Sequence, residues 1–208
     1  MHIFLARRGI NISVLTTHVY MNKELNLHAI VRRRKPNYRK CPAHNIFPNL
    51  LKQDFHADKA NQKWVTDFTY LFLKDGSIRY NCTVIDLYDR SVVSSITDRN
   101  MTSDLAVRTL KKALASQSSR SKNLILHSDQ GSQYTSKEFS DFPYDNSPME
   151  RYFNTLKNEL IYLHEYSSED TLYASVDEFA YIWYNHVRPH SYNGYKTPFE
   201  ARTGIKNY

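Results

Sequence analysis

Three acidic residues stand in order in three unrelated local settings: Asp67 in Trp-Val-Thr-Asp-Phe-Thr-Tyr, Asp129 in His-Ser-Asp-Gln-Gly-Ser-Gln-Tyr, and Glu150 in Ser-Pro-Met-Glu-Arg-Tyr-Phe. Two aspartates and a glutamate drawn from separate elements of a basic chain suggest a carboxylate cage for Mg²⁺ that acts on nucleic acid phosphates. Each residue also has an ordinary explanation. A carboxylate inside an apolar strand, as at Asp67, is costly to desolvate unless a hydrogen bond or an arginine meets it. Ser147-Pro148-Met149-Glu150 fits a capping box, with Ser147 as N-cap, Pro148 at the first helical position and Glu150 reaching back. His127, just before Asp129, could act as an acid or base, although a histidine closing a strand more often packs. Asp86 and Asp89 could enter the same site or serve a turn and an Arg90 pair.

These residues need elements to position them. Trp64 to Phe72, Ile78 to Leu87 and Ser91 to Ile96 read as strands, with Lys74-Asp75-Gly76-Ser77 as the first turn, and short connections imply an antiparallel meander. Alternation places Val65, Asp67 and Thr69 on one face of the first strand and Trp64, Thr66, Phe68 and Tyr70 on the other. A helix from Thr102 or Ser103 to Ala115 follows, with Leu105, Leu110 and Leu114 as its apolar contacts. It leads to a short strand, Asn123 to His127, and a strand reached through a helix implies a parallel crossover. Asp129 then falls where a parallel strand ends, the usual place for ligands of open α/β sheets. Met149, Phe153, Leu156, Leu160 and Leu163 make one apolar helical face, and Glu150, Asn154 and Lys157 form a polar stripe beside it. That stripe is either a solvated face or a metal ligand followed by a cation for a phosphate.

The 208 residues carry a formal charge of +7, distributed unevenly. Residues 1 to 63 hold 12 Lys or Arg against 3 acids, whereas residues 64 to 208 hold 16 against 18. A basic front joined to a nearly neutral globular part suits a polyanion binder whose chemistry sits in the second part. His2 to Leu27 reads as short helices, the second capped by Asn11 or Ser13. The run Arg32-Arg33-Arg34-Lys35, interrupted by Pro36, reads as a linker able to lie along a phosphate backbone. Cys41 and Cys82 are too few and too isolated for a disulfide framework or a zinc knuckle, so a reduced, cytoplasmic setting is expected. No apolar run approaches a membrane span.

Taken together, the strand bearing Asp67, Val-Ile-Asp-Leu-Tyr-Asp-Arg at 84–90, the segment at 127–134, Tyr-Asp-Asn-Ser-Pro-Met-Glu-Arg-Tyr-Phe-Asn-Thr-Leu-Lys-Asn-Glu at 144–159 and Tyr-Asn-His-Val-Arg-Pro-His at 184–190 carry a resemblance. The chain resembles the catalytic subunit of bacterial insertion-sequence transposases of the "IS three" group, with an integrase catalytic core. The resemblance implies a ribonuclease-H-like mixed α/β sheet with flanking helices and a small helical N-terminal remnant. It implies an Asp, Asp, Glu triad at Asp67, Asp129 and Glu150, and two Mg²⁺ or Mn²⁺ ions. It further implies phosphoryl transfer on insertion-sequence ends and target DNA, with Lys157 as a phosphate contact. A homo-oligomer when active and an upstream-frame DNA-binding partner complete the expected assembly. The corresponding division is a partial helix-turn-helix region with its basic linker over 1–40, a linker over 41–63 and the catalytic core over 64–208.

One departure from the family pattern concerns the third acid. Between Asp129 and Glu150 lie 150 − 129 − 1 = 20 residues, against roughly 35 in the pattern, and a motif stands only with its structural context. The fifth strand is expected to be missing, which would expose a new sheet edge. Two other readings share these features. A noncatalytic DNA-binding or assembly module needs only the basic front and the core, and a ribonuclease H acting on hybrids would use the same fold and metals.

Overall fold

The computed structural model describes residues 1–28, 51, 54–117, 123–128 and 146–205. The chain divides into two compact units, Met1–Cys41 and Pro42–Tyr208. In the first, α1 (His2–Arg7) precedes α2 (Val14–Val19), which runs on through the π-helical stretch Tyr20–Glu24. Of the two candidate caps Ser13 is used, its hydroxyl accepting from the Thr16 amide at 2.9 Å and satisfying one of the orphan donors of the helix start. Arg32, Arg33, Arg34 and Lys35 lie outside the described residues.

The second unit is built on β1 (Lys63–Phe72), β2 (Ile78–Asp86), β3 (Val92–Asp98) and β4 (Ile125–Ser128), in the spatial order β3-β2-β1-β4. The β1–β2 and β2–β3 pairs are antiparallel, as their short connections predict. The Asp75 carboxylate accepts from the Ser77 amide at 2.8 Å, and Gly76 takes the left-handed position, φ 81°, that this turn requires. β4 pairs with β1 in parallel, reached through α3 (Ser103–Ser116), whose N-cap Thr102 accepts from the Leu105 amide at 3.2 Å. The sheet has four strands among the described residues. Residues 129–145, which bear on the expected loss of a fifth strand, lie outside them.

Helices cover both faces of β1, so Trp64, Val65 and Thr66 are buried in succession where simple alternation would expose one of them. Trp64, Val84 and Val93 pack with Ala113, Leu110 and Leu114 of α3. Val65, Leu71 and Ile85 face the other way, into the main core with Met149, Tyr152, Phe153 and Leu156 of α4 (Ser147–Glu159) and Leu172 and Val176 of α5 (Glu169–Glu178). Each fully buried aliphatic side chain of this kind contributes roughly 1.5–3 kcal/mol. Part of the stretch expected as a linker over 41–63 belongs to this packing: Leu51 and Ala57 are buried and Phe55 lies against the same core.

α4 is shorter than its apolar periodicity predicts. Its backbone leaves the helix at Leu160 (φ −130°), Ile161–Leu163 form a separate 3-10 turn, and Leu163 is exposed. Tyr152, absent from the predicted face, is fully buried. Beyond α5 the helix continues as the π-helical stretch Phe179–Val187, which lies along the edge strand β3. Asn185 accepts from the Val92 amide at 2.8 Å and donates to the Val92 carbonyl at 3.0 Å. The Tyr181 hydroxyl accepts from the Ser95 amide at 2.8 Å and donates to the Ser95 carbonyl at 3.2 Å. Side chains thus satisfy outward backbone groups that an edge strand would otherwise offer to another chain.

Candidate active site

Asp67 sits in the middle of β1, opposite Thr83 of β2, and is partly buried. One carboxylate oxygen, Oδ1, accepts from the Phe68 amide at 2.7 Å. Strand alternation puts Asp67 on the same face as Val65 and Leu71, and both of those pack into the cluster that contains the buried face of α4. The first carboxylate therefore belongs to the α4 side of the sheet. β4 ends at Ser128, whose parallel register partner is Thr66. Asp129, the next residue in the chain, lies outside the described residues.

The start of α4 is tied to this same point of β1. Asn146, buried, donates through Nδ2 to the Thr66 carbonyl at 3.0 Å, while its own carbonyl accepts from the Glu150 amide at 3.0 Å. Asn146, not Ser147, is the N-cap, and no side-chain capping bond is made. The capping box expected for Ser147 and Glu150 is therefore absent. Shifting the cap by one residue places Glu150 one position deeper than the box requires, and it spends the Asn146 amide on β1 instead. Glu150 is exposed in the first turn, and Lys157 follows two turns later on α4, partly exposed. The far end of α4 is also held: Arg188 makes a two-pronged contact with Glu159, with Nε to Oε2 at 2.8 Å and Nη2 to Oε1 at 2.7 Å.

The acids at and just beyond the end of β2 do different work. Asp86 and Asp89 are both fully buried and share the guanidinium of Arg202, from α6 (Pro198–Thr203). Arg202 Nη2 meets Asp86 Oδ2 at 2.7 Å, and Nε donates to Asp89. The Asn61 and Tyr88 amides also donate to Asp86, at 2.7 and 3.0 Å. Burial raises the Asp86 carboxyl above its ordinary range and the Asp89 charge adds to it, whereas these amides and Arg202 oppose the shift. The partner is Arg202 and not the neighbouring Arg90, which takes a left-handed backbone (φ 62°) and donates to the Phe55 carbonyl at 2.8 Å. His127 is buried against Phe55 in an edge-to-face contact, a packing position. Among the described residues no group of three His, Cys, Asp or Glu side chains forms a metal cluster.

The integrase core domain family matches this chain twice, over residues 57–147 and 141–198. The transposase InsF of insertion sequence IS3A from Escherichia coli K12 is 35% identical over 168 residues, which is 74% of this chain and 58% of that protein. The uncharacterized 31 kDa protein of insertion element IS600 from Shigella sonnei is 33% identical over 199 residues, 88% of this chain and 72% of its own length. The chain belongs to the IS3-type transposases with an integrase core. It spans about 58% of the length of the InsF relatives.

Solved structures place the transposase core in the ribonuclease-H-like fold. A chain of the simian T-cell lymphotropic virus intasome in complex with PP2A regulatory subunit B56 gamma superposes with a TM-score of 0.56 at 19% identity, covering 100% of this chain and 76% of that one. The HTLV-2 integrase catalytic core domain in complex with magnesium gives 0.52 at 17% identity, covering 70% and 98%. Within the transposase core, the residues that sequence reasoning missed are mostly fasteners. Asn146 was visible only as one of two adjacent cap-type residues. Asn185 and Arg188 were visible only as part of a motif, with nothing local to say that one clasps β3 and the other α4.

Proposed function

We propose that this chain is the catalytic part of a transposase that cuts insertion-sequence ends and joins them to target DNA, with Asp67, Asp129 and Glu150 holding two divalent cations, Mg²⁺ or Mn²⁺. One observation carries the reading. The Asn146–Thr66 hydrogen bond fastens the helix of Glu150 to β1 one residue before Asp67, and β4 leaves Thr66 at Ser128, one residue before Asp129. One meeting point of three elements thus supports a common site for the three acids, despite the short interval before Glu150.

The donor chemistry supports a hard cation. Asp67 and Glu150 offer carboxylate oxygens, and Asn146 Oδ1 is a buried acceptor without a hydrogen-bond partner, which a hydrated cation would satisfy. Such a cation supplies Lewis-acid stabilisation of the attacking and leaving oxygens of a phosphodiester. The protein's own part is positioning. β1 and α4 fix the carboxylates, Lys157 contacts a DNA phosphate beside them, and Arg32, Arg33, Arg34 and Lys35 lie along the backbone. The magnesium in the HTLV-2 integrase core and the intasome assembly of the simian viral relative support metal use and oligomeric action on DNA. No helix among the described residues is long and apolar enough to cross a membrane, and the cytoplasm is the compartment we assign.

The test is incubation of the full chain with element-end duplexes and Mg²⁺, followed by resolution of cut and joined products. Asp67→Ala and Asp129→Ala should each abolish products, as should EDTA. Activity that survives both substitutions would sink the triad. DNA that is bound and never cut by the wild type would assign the noncatalytic module instead.

A further inference from the structure

Beside the first turn of α4, outside the carboxylate site, lies a cavity of about 170 Å³. Its two cationic side chains come from separate elements, Arg90 after β2 and Arg151 in α4, and the imidazole of His190, ahead of the turn Ser191–Asn193, lines it as well. Ser147 and Tyr192 add hydroxyl groups, and among the described residues no acidic side chain lines the space.

Arg90 is held in place from several directions. Its amide donates to the Asp86 carbonyl at 2.9 Å, Nη2 donates to the Phe55 carbonyl, and the guanidinium stacks 4.0 Å from the Tyr192 ring centre. It does so from a left-handed backbone, φ 62°, a strained conformation for a non-glycine residue. Another guanidinium nitrogen, Nη1, is buried without a hydrogen-bond partner. Burial disfavours the Arg90 charge, and Arg151 adds to that effect. His190 is pushed down to about 4, by burial first and then by Arg188, Arg90 and Arg151. These are the marks of a positive field that no acidic side chain among the described lining residues offsets, and an anion would relieve it. The space holds several waters and is large enough for a tetrahedral phosphate group.

We propose that this cavity binds one backbone phosphate of a DNA strand, with Arg90 and Arg151 as its two cationic arms. The proposal rests on the DNA-processing reading for the source of the phosphate. Because Arg151 adjoins Glu150 in α4, a phosphate seated here fixes the strand relative to the carboxylate end of the helix.

The experiment measures binding of the full chain to a fluorescein-labelled duplex by anisotropy across a potassium chloride series, in EDTA so that no cleavage step enters. Arg151→Gln, an exposed position, should reduce the slope of log affinity against log salt by about 1. Arg90→Lys keeps the charge and loses the fork, and should weaken binding by roughly tenfold. Circular dichroism of each variant confirms the fold. Unchanged slope and affinity in folded Arg151→Gln and Arg90→Lys would overturn the site while leaving the triad standing. Loss of cleavage in the wild type with the slope change intact would overturn the triad and leave the site. A parallel arm titrates inorganic phosphate and follows thermal unfolding. Stabilisation by free phosphate that both variants lose, without any change in their DNA binding, would assign the cavity to free phosphate and overturn the proposal. A wild type with no DNA affinity would remove both readings.

Discussion

The side-chain amide of Asn146 donates to the main-chain carbonyl of Thr66 at 3.0 Å. This bond crosses from the residue four before Glu150 to the residue one before Asp67. A single buried contact therefore decides where the helix of the third acid begins relative to the strand of the first. The salt bridge between Arg188 and Glu159 fixes the other end of the same helix.

Asn146→Ala leaves the Thr66 carbonyl without this donor in a buried setting, and a loss of about 1–3 kcal/mol in unfolding free energy is expected. Asn146→Asp should cost at least as much, since an ionised carboxylate cannot donate and sets its charge against the carbonyl. Urea unfolding monitored by fluorescence measures both. Stabilities within about 0.5 kcal/mol of wild type would show that the contact does not anchor α4.

Arg202→Met removes the cation shared by two fully buried carboxylates, Asp86 and Asp89. A buried pair broken on one side loses about 3–5 kcal/mol because the remaining charge is left uncompensated. Adding Asp89→Asn to Arg202→Met should restore part of that loss. Chemical denaturation of the single and double variants gives the comparison, and a double variant less stable than the single one would contradict the pairing.

His190 titrates in the folded protein at about 4, against an ordinary value of 6.5, through burial first and then the nearby arginines. Between those values the unfolded chain binds the extra proton, so this histidine's contribution is complete above pH 6.5 and is lost as pH falls toward 4. The contribution is at most about 3 kcal/mol. The urea midpoint should fall more steeply between pH 7 and pH 5 in the wild type than in His190→Gln. Parallel profiles would refute the assignment.

Asn185 and Tyr181 cover backbone groups of the edge strand β3. The double variant Asn185→Leu, Tyr181→Phe frees the Val92 and Ser95 amides and carbonyls for pairing with another chain. Increased self-association, seen as light scattering that grows with protein concentration, is expected. A double variant as monodisperse as the wild type would show that these side chains do not guard the edge.

The sequence by itself determined the local elements. Period-two runs located β1, β2 and β3 to within a few residues, Ser13 was one of two recognisable caps, and a helix between two strands gave the parallel direction of β4. Those signals are local because rotamer preference, capping and alternation act within a turn or a strand. Tertiary structure alone decided the rest. It chose Asn146 over Ser147 as the cap because the Thr66 carbonyl, 80 residues away, needed a donor. It gave Asp86 and Asp89 a partner 116 and 113 residues distant, drew Leu51 and Ala57 out of the expected linker into the core, and ended α4 before its apolar pattern did. In each case a buried polar group or apolar side chain took the partner that proximity in space provided, and spacing along the chain carries no record of that proximity.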